Sequence, residues 1–356
     1  MRESLKWSER MLVASTLFGM FFGAGNLIFP VYLGQMAGSN VWAATLGFLI
    51  TGAGLPLLGV AALGISRSSG LIELSRKIGK KYSVFYTCAL YLTIGPFFAV
   101  PRCASVPFTV GIAPLFGEKS QVLPLAVFSF LFFAVVLLLS LKPGKILTYI
   151  GKILNPTFLV FLSFLMITAL LNPMGSVSGV EPLGDYAQHP FLNGFLEGYN
   201  TMDALCGLAF GIIVVDSIRS LDVTKPGAIA VNTIQAGFFS CLLMGLIYLM
   251  LTVIGTQSRG LLPLCENGGE MLWLIAEHYF GRAGAVLLTI TVTLACLKTA
   301  VGLVSSSAET FVKLFPRGPK YGVWVWIFCL VSFAIANLGL DAIIAYAKPV
   351  LMFLYP

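Results

Sequence analysis

Three observations predict an all-helical fold that threads a membrane many times. The 356-residue chain is 58% apolar and only 10% charged, with a mean hydropathy of +0.91. A water-soluble domain carries about 25% charged residues. Apolar runs of about 20 residues, the length that crosses roughly 30 Å of hydrocarbon, recur from end to end. The ~10-residue alternating segments of a membrane β-barrel are not found.

In chain order the spans fall near 11–33, 41–65, 82–112, 122–141, 153–171, 195–218, 228–255, 283–312 and 322–338. A tenth starts near 342 and is still running at Pro356. No linker or low-complexity stretch divides them, so residues 1–356 read as a single transmembrane domain. The first run follows a charged start, "MRESLKWSER", but exceeds a signal core of about 7–15 residues and reaches Pro30 without a small-residue cleavage site. It is read as a retained span.

The net charge of +7 reflects sidedness. Sixteen Lys and Arg fall on one side: Arg2, Lys6, Arg10, Arg67, Arg76, Lys77, Lys80, Lys81, Lys142, Lys145, Lys152, Arg219, Lys225, Lys313, Arg317 and Lys320. The other side holds Lys119, Arg259 and Arg282. Positive short loops mark the cytoplasm, which puts the N-terminus inside and leaves no basic surface for a nucleic acid. Of seven cysteines, six lie within spans as small apolar fillers and Cys265 lies in an outer loop. No metal site, disulfide framework or cofactor is expected, and nothing sets an oligomeric state. Residues 172–190 read as a polar outer loop, and "GGEMLWLIAEHYF" within the loop 256–281 as a short surface helix.

Two spans carry interruptions. "FFGAGNLIFP" puts Gly23, Ala24, Gly25 and Asn26 near a membrane midpoint, with Pro30 just beyond. Glycine loosens a helix, proline removes a donor, and hydrocarbon offers no water to satisfy the freed groups. "GYNTMDALCG", Gly198 to Gly207, interrupts span 6 with Asn200, Thr201 and Asp203 at membrane depth. Spans 1 and 6 open two successive groups of five that cross in opposite senses. The first repeat runs over about 11–171 and the second over about 191–356, incomplete where the chain stops. Paired broken helices in inverted repeats mark the central site of a secondary transporter, where cargo satisfies the unwound backbone. Close helix packing through Gly19 and Gly23 is the plainer alternative.

Charges at membrane depth need partners. Asp203 suits a cation or a substrate ammonium, or a structural hydrogen bond. Arg102 suits a polar pathway or a lock between helices. Desolvation disfavours a buried ammonium, so Lys298 is a candidate to stand in for a bound cation or to relay a proton. Thr299, Ser305, Ser306 and Ser307 of span 8 offer hard oxygen ligands, although membrane serines often bond back to their own helix.

The segments "FFGAGNLIFP" with "LGQMAG", "YLTIGPFFAVPR" with "VGIAPLFG", "LKPGKIL", "GYNTMDALCGLAFGIIV" and "ANLGL" run in order along nearly the whole chain. Together they resemble the branched-chain amino acid:cation symporter family (branched-chain amino acid transport system II carriers), within the amino acid–polyamine–organocation group. The resemblance implies a LeuT-type five-plus-five inverted repeat in the bacterial inner membrane, taking up Leu, Ile and Val with Na⁺ or H⁺. It implies a substrate carboxylate at the N–H groups of Ala24 and Gly25, in the break Gly23–Asn26. The substrate ammonium falls to the unwound segment of Thr201, Met202, Asp203 and Ala204. A Na⁺ site would use carbonyls near Gly19 and Phe22 with hydroxyls of span 8, among them Thr299, Ser305 and Ser306, and Asn26 would serve a second cation or brace the break. Two positions depart from the pattern: Val304 stands where related folds often offer a hydroxyl, and Lys298 puts an ammonium near the Na⁺ position. Family members usually carry further spans beyond the tenth.

Other classes fit less well. Both histidines, His189 and His278, lie in outer loops, and HExxH, G-x-S-x-G and P-loop patterns are missing, so no enzyme is expected. A channel needs a polar stripe on several helices, which is also missing. A membrane amino acid sensor with the same site, or a carrier for other small neutral amino acids, are the alternatives to a branched-chain carrier. The expected partners are the amino acid, the coupling ion and membrane lipid.

Overall fold

The computed structural model describes residues 4–23, 25–66, 68, 70–113, 116, 121–145 and 147–354. Ala24 of the expected site and Arg2, Arg67 and Lys119 of the charge count lie outside the described residues. The first span is split into α1 (Trp7–Phe21) and α2 (Gly25–Ala37). The second is α3 (Val41–Leu49) and α4 (Leu55–Ile65), joined through a wide helical turn at Ile50–Gly54. A short α5 (Leu71–Arg76) leads to α6 (Lys80–Leu92) and α7 (Ala99–Gly111), then α8 (Val122–Ser140). α9 (Asn155–Leu171) follows a wide turn at Leu147–Leu154. The sixth span is α10 (Pro190–Tyr199), α11 (Asp203–Ala209) and α12 (Gly211–Arg219). After it come α13 (Pro226–Ser258), α14 (Gly268–Phe280), α15 (Arg282–Leu314), α16 (Tyr321–Ala336) and α17 (Leu340–Leu354). No strand occurs among the described residues.

Seven helical runs among the described residues are long and apolar enough to cross a membrane, against ten expected spans. The first expected span is cut into halves of 15 and 13 residues. α2 then continues through a tight turn into α3 and α4 as one run of 41 residues, Gly25–Ile65, and α16 has only 16 residues. The outer surfaces are apolar: α8 exposes Val122, Leu123, Phe130 and Leu138, as a helix facing lipid does.

Both expected interruptions are present, and both are shorter than the glycine pattern suggests. α1 stops at Phe21 and α2 is already helical at Gly25. Pro30 sits inside α2, where its missing N–H leaves the Asn26 carbonyl without an intrahelical donor. In the sixth span the break is Asn200 to Met202, with Met202 in the left-handed region at φ 64°. Asp203 and Ala204, expected in the unwound segment, are the first residues of α11. An acid in the first turn faces the positive end of the helix dipole, which favours restarting the helix there. A third irregularity was not anticipated: α6 and α7 meet at a kink over Thr93–Phe97, where Gly95 leaves helical geometry beside Pro96.

The packing crosses over between the two halves of the chain. α13 lies along both pieces of the first broken span, α1 and α2, while α3 and α4 lie along α10 and α11. Glycine makes a close seam in each of these pairings. A Cβ on Gly255 of α13 would stand 2.1 Å from the Val31 carbonyl oxygen of α2, and one on Gly194 of α10 would stand 1.9 Å from that of Ala44 of α3. Without side chains between them the backbones come together, and Thr256 Oγ1 donates to the Gly34 carbonyl at 2.7 Å across the first seam. The expected helix in the loop 256–281 is α14, capped by Asn267, whose Oδ1 accepts from the N–H of Gly269 and Glu270 at 3.0 and 2.9 Å. It packs on α2 and α15.

Gly255→Val is expected to cost at least the ~1–3 kcal/mol of an overpacked core, seen as a lower unfolding temperature in detergent. Gly227→Ala, where a Cβ meets nothing within 4 Å, should stay within about 0.5 kcal/mol of the unaltered protein.

Candidate functional site

The two breaks are held together by one buried carboxylate. Asp203, 2% exposed, accepts at Oδ2 from the Tyr248 hydroxyl of α13 at 3.0 Å and from Nδ2 of Asn26. The same Asn26 nitrogen reaches the Tyr248 oxygen at 2.5 Å, while Asn26 Oδ1 accepts from the Gly23 N–H at 2.9 Å. Thr201 Oγ1 donates to the Gly198 carbonyl at 2.8 Å and accepts a long bond from the Asp203 N–H at 3.4 Å. Asn26 thus satisfies the Gly23 N–H of the first break with one end and the acid of the second with the other.

Arg102 of α7 lies across the opposite side. Its Nη1 donates to the Asn200 carbonyl at 3.3 Å, the guanidinium lies 5.8 Å from the Phe29 ring centre, and Nη2 stands 3.3 Å from the place a Gly25 Cβ would take. It therefore both lines the polar site and ties α7 to α10. Gly25 opens α2, so the free N–H groups of that helix end and the guanidinium add up to a positive corner suited to a carboxylate. The Asp203 side of the site is the negative corner.

Between them lies a small cavity lined by Gly23, Gly25, Asn26, Arg102, Thr201, Met202, Asp203 and Thr299, with apolar walls from Phe21, Ala99 and Leu303. Its volume of about 20 Å³ is room for about one water molecule. A larger cavity of about 250 Å³ adjoins it, lined by Phe29, Arg102, Glu197, Asn200, Met202 and, from α17, Ile343, Ala347 and Leu351. Arg102 and Met202 line both cavities and form the partition.

The span 8 residues part company. Thr299 Oγ1 faces the first break, 3.2 Å from where a Gly23 Cβ would stand, and has no hydrogen-bond partner. Ser306 gives its hydroxyl to the Leu303 carbonyl of its own helix at 3.1 Å. Ser305 is buried near the Tyr321 hydroxyl, and Ser307 faces Gly95 at the kink before α7. Gly19 packs against Ile150 and Asn155, and the Phe22 ring stacks on Tyr248 at 5.9 Å. Lys298, 0% exposed, bonds to Asn155 Oδ1 at 3.1 Å and lies outside the cavity lining. Sequence reasoning missed Tyr248 and Asn155. Each is a polar residue inside an apolar run, "GLIYLM" and "GKILNPT", but nothing in the linear pattern says which acid or cation it meets.

Two discontinuous helices meet at a buried acid, with a charged corner on each side of one cavity, the paired-break pattern by which helical membrane transporter folds are recognised. A family model described as "Branched-chain amino acid transport protein" matches residues 6–356, and the chain belongs to that family. It is 53% identical to a branched-chain amino acid permease BrnQ of Lactobacillus delbrueckii subsp. lactis, an alignment covering 100% of this chain and 80% of the relative. Identity is 40% to BrnQ of Escherichia coli strain K12, again over 100% and 80%. It is 39% to the branched-chain amino acid transport system 2 carrier protein of Pseudomonas aeruginosa, over 99% and 79%. Among solved structures the chain is similar to Mhp1, a nucleobase-cation-symport-1 family transporter in a closed conformation with bromovinylhydantoin bound. The TM-score is 0.59 at 17% identity, covering 99% of this chain and 79% of the other, a likeness in fold.

Tyr248→Phe removes one donor from the buried Asp203 and is expected to cost ~1–3 kcal/mol, read as a lower unfolding temperature. Asn26→Asp sets a second carboxylate against Asp203 and should be far worse, failing to give a folded, monodisperse protein in detergent at neutral pH.

Proposed function

We propose that this chain is a secondary carrier that takes up branched-chain amino acids with a cation, by alternating access, across a bacterial inner membrane with its N-terminus in the cytoplasm. The observation that carries the reading is the placement of opposite charges about one cavity: Arg102 and the start of α2 on one side, Asp203 on the other. A zwitterion fits that arrangement, its carboxylate at the Gly25 N–H and Arg102, its ammonium toward Asp203 and the carbonyls of the Asn200–Met202 break. Phe21, Ala99 and Leu303 offer the apolar wall for an aliphatic side chain. The names carried by the relatives support the substrate class, and all three relatives are bacterial.

A cavity of about 20 Å³ beside one of about 250 Å³ supports alternating access, since Arg102 and Met202 must part for substrate to pass. The exchange of packing partners between α1–α4 and α10–α13 supports an inverted repeat in which one bundle rocks against the other. A cation frame of Gly19, Phe22 and Thr299 serves Na⁺, or a proton takes its part, while Ser305 turns toward Tyr321 and Ser306 bonds its own helix. One charge moving through 100 mV contributes about 2.3 kcal/mol, roughly 50-fold accumulation at 1.4 kcal/mol per decade. Discrimination among Leu, Ile and Val should be modest, because one methylene is worth ~1–3 kcal/mol in an apolar pocket.

The test is uptake of radiolabelled leucine into proteoliposomes under an imposed Na⁺ gradient and, separately, a pH gradient. Accumulation against the leucine gradient is expected with one of them, and Asp203→Asn should abolish it. Leucine binding without accumulation would favour the sensor reading instead. In the same assay Arg102→Ala is expected to weaken uptake of leucine by ~10-fold or more, the worth of one charge-assisted hydrogen bond of ~1.5–3 kcal/mol.

A further inference from the structure

Lys298 is wholly buried on α15, one turn from Gly302, which packs against Met20 of α1. Its Nζ donates to Asn155 Oδ1 at 3.1 Å, stands 3.5 Å from the centre of the Phe158 ring and lies 5.5 Å from that of Phe18. Aromatic faces attract a desolvated ammonium. The groups that face it are Phe18 from α1 and Asn155 and Phe158 from α9, with Cys296 on its own helix. Among the described residues it pairs with no carboxylate, the ion pairs being those of Asp216 with Arg219 and Lys313. A lone buried cation needs a negative counterpart. Lys298 meets the last turn of α1 through the Phe18 ring; the helix ends at Phe21, with the Phe22 N–H closing on the Phe18 carbonyl, and that end is the negative pole of the helix dipole.

Gly19 of α1 and Phe22, just past its end, are each one contact from the ammonium. Asn155, which holds Nζ, has its Cβ 3.3 Å from where a Gly19 Cβ would stand. Phe158, whose face Nζ covers, has its ring 5.5 Å from that of Phe22. We propose that the ε-ammonium of Lys298 is a built-in cation, filling the place between α1, α9 and α15 where a free Na⁺ would otherwise bind, so that substrate binding in this chain needs no Na⁺. The inference rests on the carrier reading above and, of its two coupling ions, leaves the proton. A Na⁺ ion entering beside Lys298 would meet a like charge at short range in a medium that screens poorly.

The test compares thermal unfolding and leucine binding of the purified full chain in NaCl and in choline chloride, for the unaltered protein, Lys298→Thr and Lys298→Met. NaCl should change neither the unfolding temperature nor the leucine affinity of the unaltered protein. Lys298→Thr clears the space and adds a hydroxyl, and should gain stability in NaCl together with a Na⁺-dependent rise in leucine affinity of ~5-fold or more. Lys298→Met, which fills the space without charge or oxygen, should respond to neither salt. Stabilisation by NaCl or Na⁺-dependent leucine binding in the unaltered protein overturns the proposal, as does a folded Lys298→Thr that is indifferent to Na⁺. Where that variant does not fold, the Na⁺ response of the unaltered protein decides. The thermal readout needs no substrate. A chain that binds no leucine, yet responds to Na⁺ once Lys298 is replaced, would defeat the carrier reading and leave the cation assignment standing.

Discussion

A carboxylate sealed from solvent between two interrupted helices has to be met by donors from somewhere, and the architecture around Asp203 is arranged by that demand. Taking the charge out of water costs several kcal/mol, recovered only with good hydrogen bonds. Here they come from Asn26 of the first break and Tyr248 of α13. Because Asn26 also accepts from the Gly23 N–H, the same cluster satisfies a backbone donor that the first break leaves open. Each interruption is tolerable at membrane depth because the other supplies its partners.

That mutual dependence requires the two halves of the chain to lie close, and the glycine seams allow it. α13 reaches Asp203 with Tyr248 because Gly255 lets its backbone come against Val31 of α2. α10 is held beside α3 by Gly194 against Ala44. Apolar burial gives little preference between neighbours in lipid, so close packing and interhelical hydrogen bonds decide who pairs with whom. The left-handed Met202 is a strained backbone state, costing of order 1–3 kcal/mol for a residue other than glycine, and it persists at the turn that aims α11 and its first residue, Asp203, at the site.

The two buried charges at the core are handled differently. Asp203 sits in a cavity wall among polar donors and beside empty space, where a ligand can add to its partners. Lys298 is enclosed by two aromatic rings and a single amide oxygen against the end of α1, with no cavity at its tip among those described. The first arrangement suits a group that binds and releases, the second a group that stays.

Much of this was legible in the residues. The composition and the recurring apolar runs pointed to the helical membrane class, since only helices and closed barrels satisfy their backbone in lipid and the alternating segments of a barrel are missing. Gly23 and Gly25 marked the first interruption, and Asn200, Thr201 and Asp203 the second, because polar and helix-weakening residues at membrane depth are costly enough to stand out. The limits of each break were not legible: whether Asp203 belongs to loop or helix depends on a dipole and a cap that glycine counting does not weigh. The Gly95 kink passed unnoticed although Gly-Pro is a local signal. What tertiary structure alone decided is partnership. That Tyr248 and Asn26 meet Asp203, that Asn155 holds Lys298, and that Thr299 faces the first break while Ser305 turns toward Tyr321 all follow from the depth and rotation at which separate helices pack. Side chains far apart in sequence set that register, and the period of any one helix carries no record of it.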